Sequence, residues 1–265
     1  MDQIIPLIIC GVGAGLLSSF FGVGGGIIIV PFLYFAFPNW TPSMIAGTSL
    51  GVIFFNSVLN SYLYYKKGHR LGKNIIILYF FSMGIGVYTG LALAHTIDPK
   101  IVRFVLASML LFVAYKTFRK RPKVGGNLKE IPKERYLLLF ISCVLSGILS
   151  GLTGLGGGAI LVPILISVIG LVVTLVPVYS NMAMTFGALI GVTKSLFLNA
   201  RTNLQFMPDF AVGQIHFAVI FIIFCGAYFG AKLGIKLNER IPQRKAEIIF
   251  AIFLIITGLK IFSSL

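Results

Sequence analysis

Carboxylates are scarce in this sequence and poorly placed for chemistry. Asp and Glu number seven among 265 residues: Asp2, Asp98, Glu130, Glu134, Asp209, Glu239 and Glu247. Each falls between apolar stretches or at their ends, so the intramembrane acid relay of pumps and cation carriers is excluded. Charged residues of both signs make up 11 %, against about 25 % in an ordinary soluble domain, which excludes a soluble enzyme. The three cysteines, Cys10, Cys143 and Cys225, lie singly inside apolar stretches. That spacing excludes a disulfide framework and a metal site and leaves small hydrophobes. No Gly-x-x-x-x-Gly-Lys-[Ser/Thr] loop points to ATP hydrolysis. No Ser/His/Asp or Cys/His set with intramembrane acids points to a protease, so no enzyme and no cofactor are expected. The opening Met1-Asp2-Gln3 carries no positive charge, and no Ala-x-Ala cleavage site follows the first apolar stretch. A mature membrane segment is expected there rather than a removed signal.

What is present is apolar surface. Hydrophobic residues make up 57 % and the mean hydropathy is +0.98. A spanning helix needs about 20 mainly apolar residues. Such stretches run over Ile4–Phe21, Met44–Tyr65, Asn74–Ala94 and Ile101–Phe118, then Tyr136–Thr153, Val178–Leu198, Phe210–Leu233 and Glu247–Leu265. Shorter apolar pieces, Ile27–Phe37 and Ala159–Ile169, follow two glycine clusters. The expected fold class is an all-α polytopic membrane protein in a lipid bilayer. A homo-oligomer is left open.

The net charge of +15, from 22 Lys and Arg, fits basic loops on the cytoplasmic side of a membrane. No zinc-finger spacing, basic helix or aromatic RNA-binding pattern accompanies it, so no nucleic-acid partner is expected.

The chain repeats itself. Gly15–Pro31 aligns without gaps on Gly147–Pro163, sharing Leu17-Ser18 with Leu149-Ser150, Gly22 with Gly154, Gly24–Gly26 with Gly156–Gly158, and Val30-Pro31 with Val162-Pro163. The same offset of 132 places Thr48-Ser49 on Ser180-Asn181, and Gly86-x-Tyr88-x-Gly90 matches Gly226-x-Tyr228-x-Gly230 after a small insertion. Chance similarity between apolar stretches does not keep glycine and proline in register. The organisation read from this is a first transmembrane repeat over 1–118, a basic cytoplasmic linker over 119–135, and a second repeat over 136–265. Each repeat is a glycine-broken hairpin followed by three spanning helices. If each hairpin enters and leaves on one side, the repeats are inverted and 17 of the 22 basic residues share a side. If each broken segment crosses once, the repeats are parallel and the split is 15 to 7. The positive-inside rule favours inversion. Ile4–Phe37 as one helix would also be about 51 Å long at 1.5 Å per residue, beyond a hydrocarbon core of roughly 30 Å.

The glycine clusters Gly22, Gly24, Gly25, Gly26 and Gly154, Gly156, Gly157, Gly158 are the strongest candidate site. Glycine costs a helix about 1 kcal/mol relative to alanine, and irregular backbone at membrane depth is tolerated only inside protein or beside a water-filled cavity. The short helices after each break would point N-termini inward, with free N–H groups and partial positive charge that suit an anion. Close packing through small residues is the competing reading. A doubled break at matching repeat positions favours a substrate site.

Thr48-Ser49 and Ser180-Asn181 are placed in the first turns of the helices after each hairpin, where they cap a helix or hold a polar substrate. Asn56, Asn60 and Tyr62 lie deeper along the first of these helices. Lys194 occupies the repeat position of Tyr62 and is either a ligand or a side chain snorkelling to the interface. His95 reads as a loop residue and His216 as lying two turns into its helix. Neither has a metal-ligand partner one turn away.

The doubled Gly-x-Gly-Gly-Gly-x-x-x-x-Pro pattern, at Gly22–Pro31 and Gly154–Pro163, resembles the sulfite exporter TauE/SafE family. So do Ala46-Gly47-Thr48-Ser49 and the basic loop Lys66-Lys67-Gly68-His69-Arg70. The resemblance runs from about residue 4 to 265 and implies a permease of bacterial or archaeal cytoplasmic membranes for sulfur-containing anions, sulfite or organosulfonates. The second repeat departs from it where Ser180-Asn181 replaces Thr-Ser. A channel or transporter for another small anion or a neutral solute is the alternative, and a non-transporting membrane anchor is a third class.

Overall fold

Apolar runs become helices because a helix satisfies its own backbone groups in lipid. A computed structural model describes residues 3–98, 130–198 and 206–238 continuously, with separate positions between 100 and 115, at 128, and between 248 and 262. The helices are α1 (Ile4–Phe21), α2 (Gly26–Ala36), α3 (Pro42–Lys66), α4 (Lys73–Thr96), α5 (Tyr136–Thr153), α6 (Gly158–Ser167), α7 (Val176–Leu196) and α8 (Phe217–Asn238). Six of them, all but α2 and α6, are long and apolar enough to cross a membrane. The separate positions at 101–115 and 248–262 are helical, and Phe104 meets Phe262 at 6.0 Å. The expected spans Ile101–Phe118 and Glu247–Leu265 and the linker 119–135 otherwise fall largely outside the described residues.

Local chemistry sets the boundaries. Thr41 caps α3, its Oγ1 accepting from the Met44 N–H at 3.3 Å, with Pro42 in the first turn. The helix therefore starts early, and Thr48-Ser49 lie in its second turn rather than its first. Ser180-Asn181 likewise sit beyond the first turn of α7. His95 is helical, inside the last turn of α4. The stretch expected to be helical from Phe210 starts only at Phe217. Pro208 and the positive φ of Gly213 (+59°) divert 208–216 into a turn and a ribbon, β1 (Ala211–Val212) against β2 (Ile215–His216). His216 therefore precedes α8 instead of lying two turns inside it.

The two ends of each broken segment lie close together. Gln3 lines one cavity with Phe37, Pro38 and Trp40, which brings the start of α1 beside the end of α2. At the second break, Arg135 Nη1 donates to the carbonyls of Val168 and Ile169, so the start of α5 lies beside the end of α6.

The chain's two halves interlock through glycine. A Cβ at Gly11 would strike the Ile223 carbonyl, one at Gly226 the Ile8 carbonyl, and one at Gly230 the Val12 carbonyl. The contacts advance together along both helices, so α1 and α8 run parallel with backbones touching. Gly86 and Gly90 meet Val144 and Ile148 in the same way, and Gly147 and Gly151 meet Met83 and Val87, which pairs α4 with α5. Without a hydrophobic drive between helices in lipid, such close approach is a main source of association. It places α3 and α7 in the middle, with 72 % and 61 % of their spans buried against 44–50 % for the other four. Outward faces carry Ile5, Phe81, Leu137, Phe221 and Phe229, all exposed and apolar.

Candidate functional site

The two breaks are built alike. Gly22, Gly24 and Gly25 have φ of +75°, +83° and +77°, and Gly154, Gly156 and Gly157 have +75°, +83° and +73°. Only glycine takes these angles without a Cβ penalty. Gly22 and Gly154 close α1 and α5, their N–H groups bonding Ser18 O and Ser150 O. Gly25 and Gly157 open α2 and α6, accepting from residues three and four ahead. Among the described residues, the N–H groups of Gly24–Gly26 and Gly156–Gly158 make no hydrogen bond.

The breaks meet back to back. A Cβ on Gly26 would lie 2.5 Å from the Leu155 carbonyl oxygen, and one on Gly158 2.8 Å from the Val23 backbone. Two helix N-termini with unpaired donors therefore face one another inside the protein, a concentration of positive dipole that favours an anion. Ile53 from α3 packs against Gly24, Gly26 and Gly156, and the Met184 sulfur from α7 against Gly24 and Gly158. Every residue of Gly22–Gly26 and Gly154–Gly158 is buried.

A polar cluster adjoins the first break. Asn60 Nδ2 donates to Ser18 Oγ (2.9 Å) and Asn181 Oδ1 (3.2 Å), and Ser18 Oγ donates to Asn181 Oδ1 (3.4 Å). Asn181 Nδ2 donates to the Pro177 carbonyl (2.7 Å) and the Ser18 carbonyl (3.5 Å). Thr185 Oγ1 reaches Ser57 Oγ at 3.0 Å. Ser180 Oγ donates to Val176 O (2.9 Å) and lies where a Cβ on Gly22 would go. Ser49 Oγ donates to the Gly154 carbonyl (2.8 Å) and so anchors the second break from α3.

Thus Ser49, Ser180 and Asn181 join the glycines, and two other candidates do not. Thr48 accepts from the His216 N–H at 3.1 Å, tying α3 to the ribbon. Lys194 sits near the end of α7, its Nζ donating to the Tyr88 carbonyl (2.7 Å) and lying 3.7 Å from the Tyr88 ring centroid. Ser18, Ile53 and Met184 are contributors that single-residue reasoning passed over. Only Ser18, matched by Ser150 in the repeat alignment, carried a signal.

His216 belongs to a second cluster, at the end of the molecule where α3 begins. Its ring stacks on Trp40 at 5.3 Å, and Trp40 stacks on Phe37 at 4.2 Å. Nε2 lies 2.6 Å from the Phe206 carbonyl, and Nδ1 accepts from the Val219 N–H at 3.4 Å. Only the neutral ring with its proton on Nε2 serves both partners. Burial also lowers the His216 pKa from its ordinary 6.5. In the unfolded chain His216 takes up its proton first, so the stability it contributes is present above 6.5 and is lost as pH falls toward the lower folded value. Thermal melts are expected to show wild type losing stability in that window while His216→Gln, which retains an N–H for Phe206, loses markedly less.

The fold and this buried polar interior define a multi-pass helical membrane protein. The sulfite exporter TauE/SafE family matches residues 7–261, and the chain belongs to that family. Among its relatives, a probable membrane transporter protein of Haemophilus influenzae is 28 % identical over 94 % of this chain and 93 % of its own length. One from Methanocaldococcus jannaschii is 29 % identical over 96 % and 93 %. The probable membrane transporter protein YunE of Bacillus subtilis is 25 % identical over 96 % and 95 %. The chain is thus a member of a family of membrane transporters.

Proposed function

We propose that this protein is a permease of the cytoplasmic membrane that moves small sulfur-containing anions, sulfite or organosulfonates, past the paired glycine breaks. The observation that carries the reading is the meeting of the α2 and α6 N-termini, with unpaired amides at Gly24–Gly26 and Gly156–Gly158. Charge-assisted hydrogen bonds are each worth about 1.5–3 kcal/mol net, so a few such amides suffice to hold an anion. The absence of any carboxylate inside an apolar stretch removes the repulsion an anion would meet there. The two halves are related by inversion in this reading, which the closeness of the two ends of each broken segment supports. Inversion brings both breaks to one midplane site, as in repeat-built transporters.

The test is thermal stabilisation of the purified protein by sulfite, methanesulfonate, sulfate, thiosulfate and a neutral sugar, paired with flux into proteoliposomes. A ligand held at a hundred times its Kd stabilises by about 2.7 kcal/mol. Sulfite or methanesulfonate is expected to raise the melting temperature and to be transported. Flux of the neutral sugar with no response to any sulfur anion overturns the proposal.

A further inference from the structure

Several buried polar atoms lack partners among the described residues, and at Asn56 both ends of a carboxamide do. Asn56 on α3 is 0 % exposed, and neither its Nδ2 nor its Oδ1 has a hydrogen bond. Burying an amide without a hydrogen-bond partner is costly, and such groups are rare in native interiors. Asn56 lies three residues after Ile53, which packs on both breaks, and four before Asn60, which bonds Ser18 and Asn181. Residues three and four apart share a helix face, so Asn56 stands between the breaks and the polar cluster.

The remaining hydrogen-bonding capacity there is specific. Both lone-pair sites of Asn181 Oδ1 are used, by Asn60 and Ser18, and both hydrogens of Asn60 and of Asn181 are donated. What is left is the NH2 and the carbonyl oxygen of Asn56, together with the carbonyl oxygen of Asn60. Donors and acceptors are both open. A fully ionised oxyanion offers acceptors only, so it would face two carboxamide oxygens with nothing to give them. The cost of burying an ion also rises with the square of its charge, which penalises a dianion further.

We infer that Asn56 and Asn60 form a neutral substrate site that takes an oxyanion still carrying one proton, its O–H donating to a carboxamide oxygen while its other oxygens accept from the Asn56 NH2. Among the sulfur anions of the transport reading, on which this inference rests, the matching species is hydrogensulfite. Among the described residues, no titratable side chain bonds the Asn56 or Asn60 carboxamide. On the helices that form the site, Cys10 lies two turns away on α1, Tyr64 donates to the Ser19 carbonyl (2.7 Å), Lys194 is held at Tyr88, and none of these or Tyr179 bonds either carboxamide. The proton therefore travels on the substrate, which accounts for a transporter without an intramembrane carboxylate.

The experiment uses the full chain, purified and in proteoliposomes, with sodium sulfite and methanesulfonate as probes at pH values on either side of the second ionisation of sulfurous acid. Wild type, Asn56→Leu, Asn60→Leu and a His216→Gln control for the outer histidine are compared. Affinity for total sulfite is expected to rise about tenfold or more on the acidic side. Methanesulfonate, which has no O–H at either pH, is expected to bind more weakly than hydrogensulfite with no such dependence. Asn56→Leu is expected to lose about tenfold or more in hydrogensulfite affinity while its melting temperature stays level or rises, because it removes an unpaired polar group. A merely structural asparagine would lower the melting temperature. Sulfite binding that is equal on both sides of the ionisation, or unchanged in Asn56→Leu, overturns this inference and leaves the transport reading standing. No response of wild type to any sulfur anion at either pH overturns both.

Discussion

Gly230→Leu is expected to abolish assembly of the folded protein. The side chain would enter the α1–α8 seam against the Val12 carbonyl, where not even a Cβ fits. Overpacking a core usually costs about 1–3 kcal/mol because side chains yield. Here the obstacle is the backbone of a neighbouring helix, so the seam has to part. Its parting removes the close contact that holds helices together in lipid. Gly90→Leu, against the Ile148 carbonyl in the α4–α5 seam, is expected to behave alike. Size-exclusion profiles and thermal melts in detergent check both. Gly72→Ser is the control: it caps α4 and a Cβ there meets nothing within 4 Å, so stability is expected to stay within about 0.5 kcal/mol or to rise slightly.

Gly25→Ala and Gly157→Ala are expected to lower stability as well as anion affinity. At φ of +77° and +73°, a side chain costs about 1–2 kcal/mol from backbone sterics alone. The added methyl would stand 2.8 Å from the Ala14 carbonyl oxygen at the first position and 3.0 Å from that of Ser146 at the second. Gly25→Ala is therefore expected to be the more destabilising of the two. The repeat pattern alone leads to a different expectation, binding lost with folding intact, because it shows the need for glycine but not the carbonyl behind it. Melting temperature and sulfite affinity measured on the same preparations separate the contributions. A parental melting temperature in both variants would contradict the left-handed geometry of the breaks.

The extent to which the molecule could be read from its residues follows the range of the forces involved. Spanning helices need long apolar runs, and a bilayer leaves the backbone no other way to pair its hydrogen bonds. The spans at Ile4–Phe21 and Tyr136–Thr153 were therefore legible to the residue. The breaks were legible because four glycines in five positions, twice, have few physical uses. Boundaries failed where local chemistry was subtle: Thr41 capped α3 ahead of the apolar run, and Gly213 turned the expected start of α8 into a ribbon. What only the tertiary structure decided is who faces whom. Gly86-x-Tyr88-x-Gly90 announced a repeat, yet nothing in it says that α4 packs on α5 while α1 packs on α8. Thr48 and Ser49 are neighbours in sequence, but 100° of helical rotation sends one to His216 and the other to Gly154. Asn56 and Asn60 read alike on α3, and only the approach of Ser18 and Asn181 from other helices pairs the NH2 of Asn60 and leaves that of Asn56 unpaired. Helix formation is a matter of neighbours along the chain; hydrogen bonds between helices depend on contacts up to 163 residues apart, which no local pattern encodes.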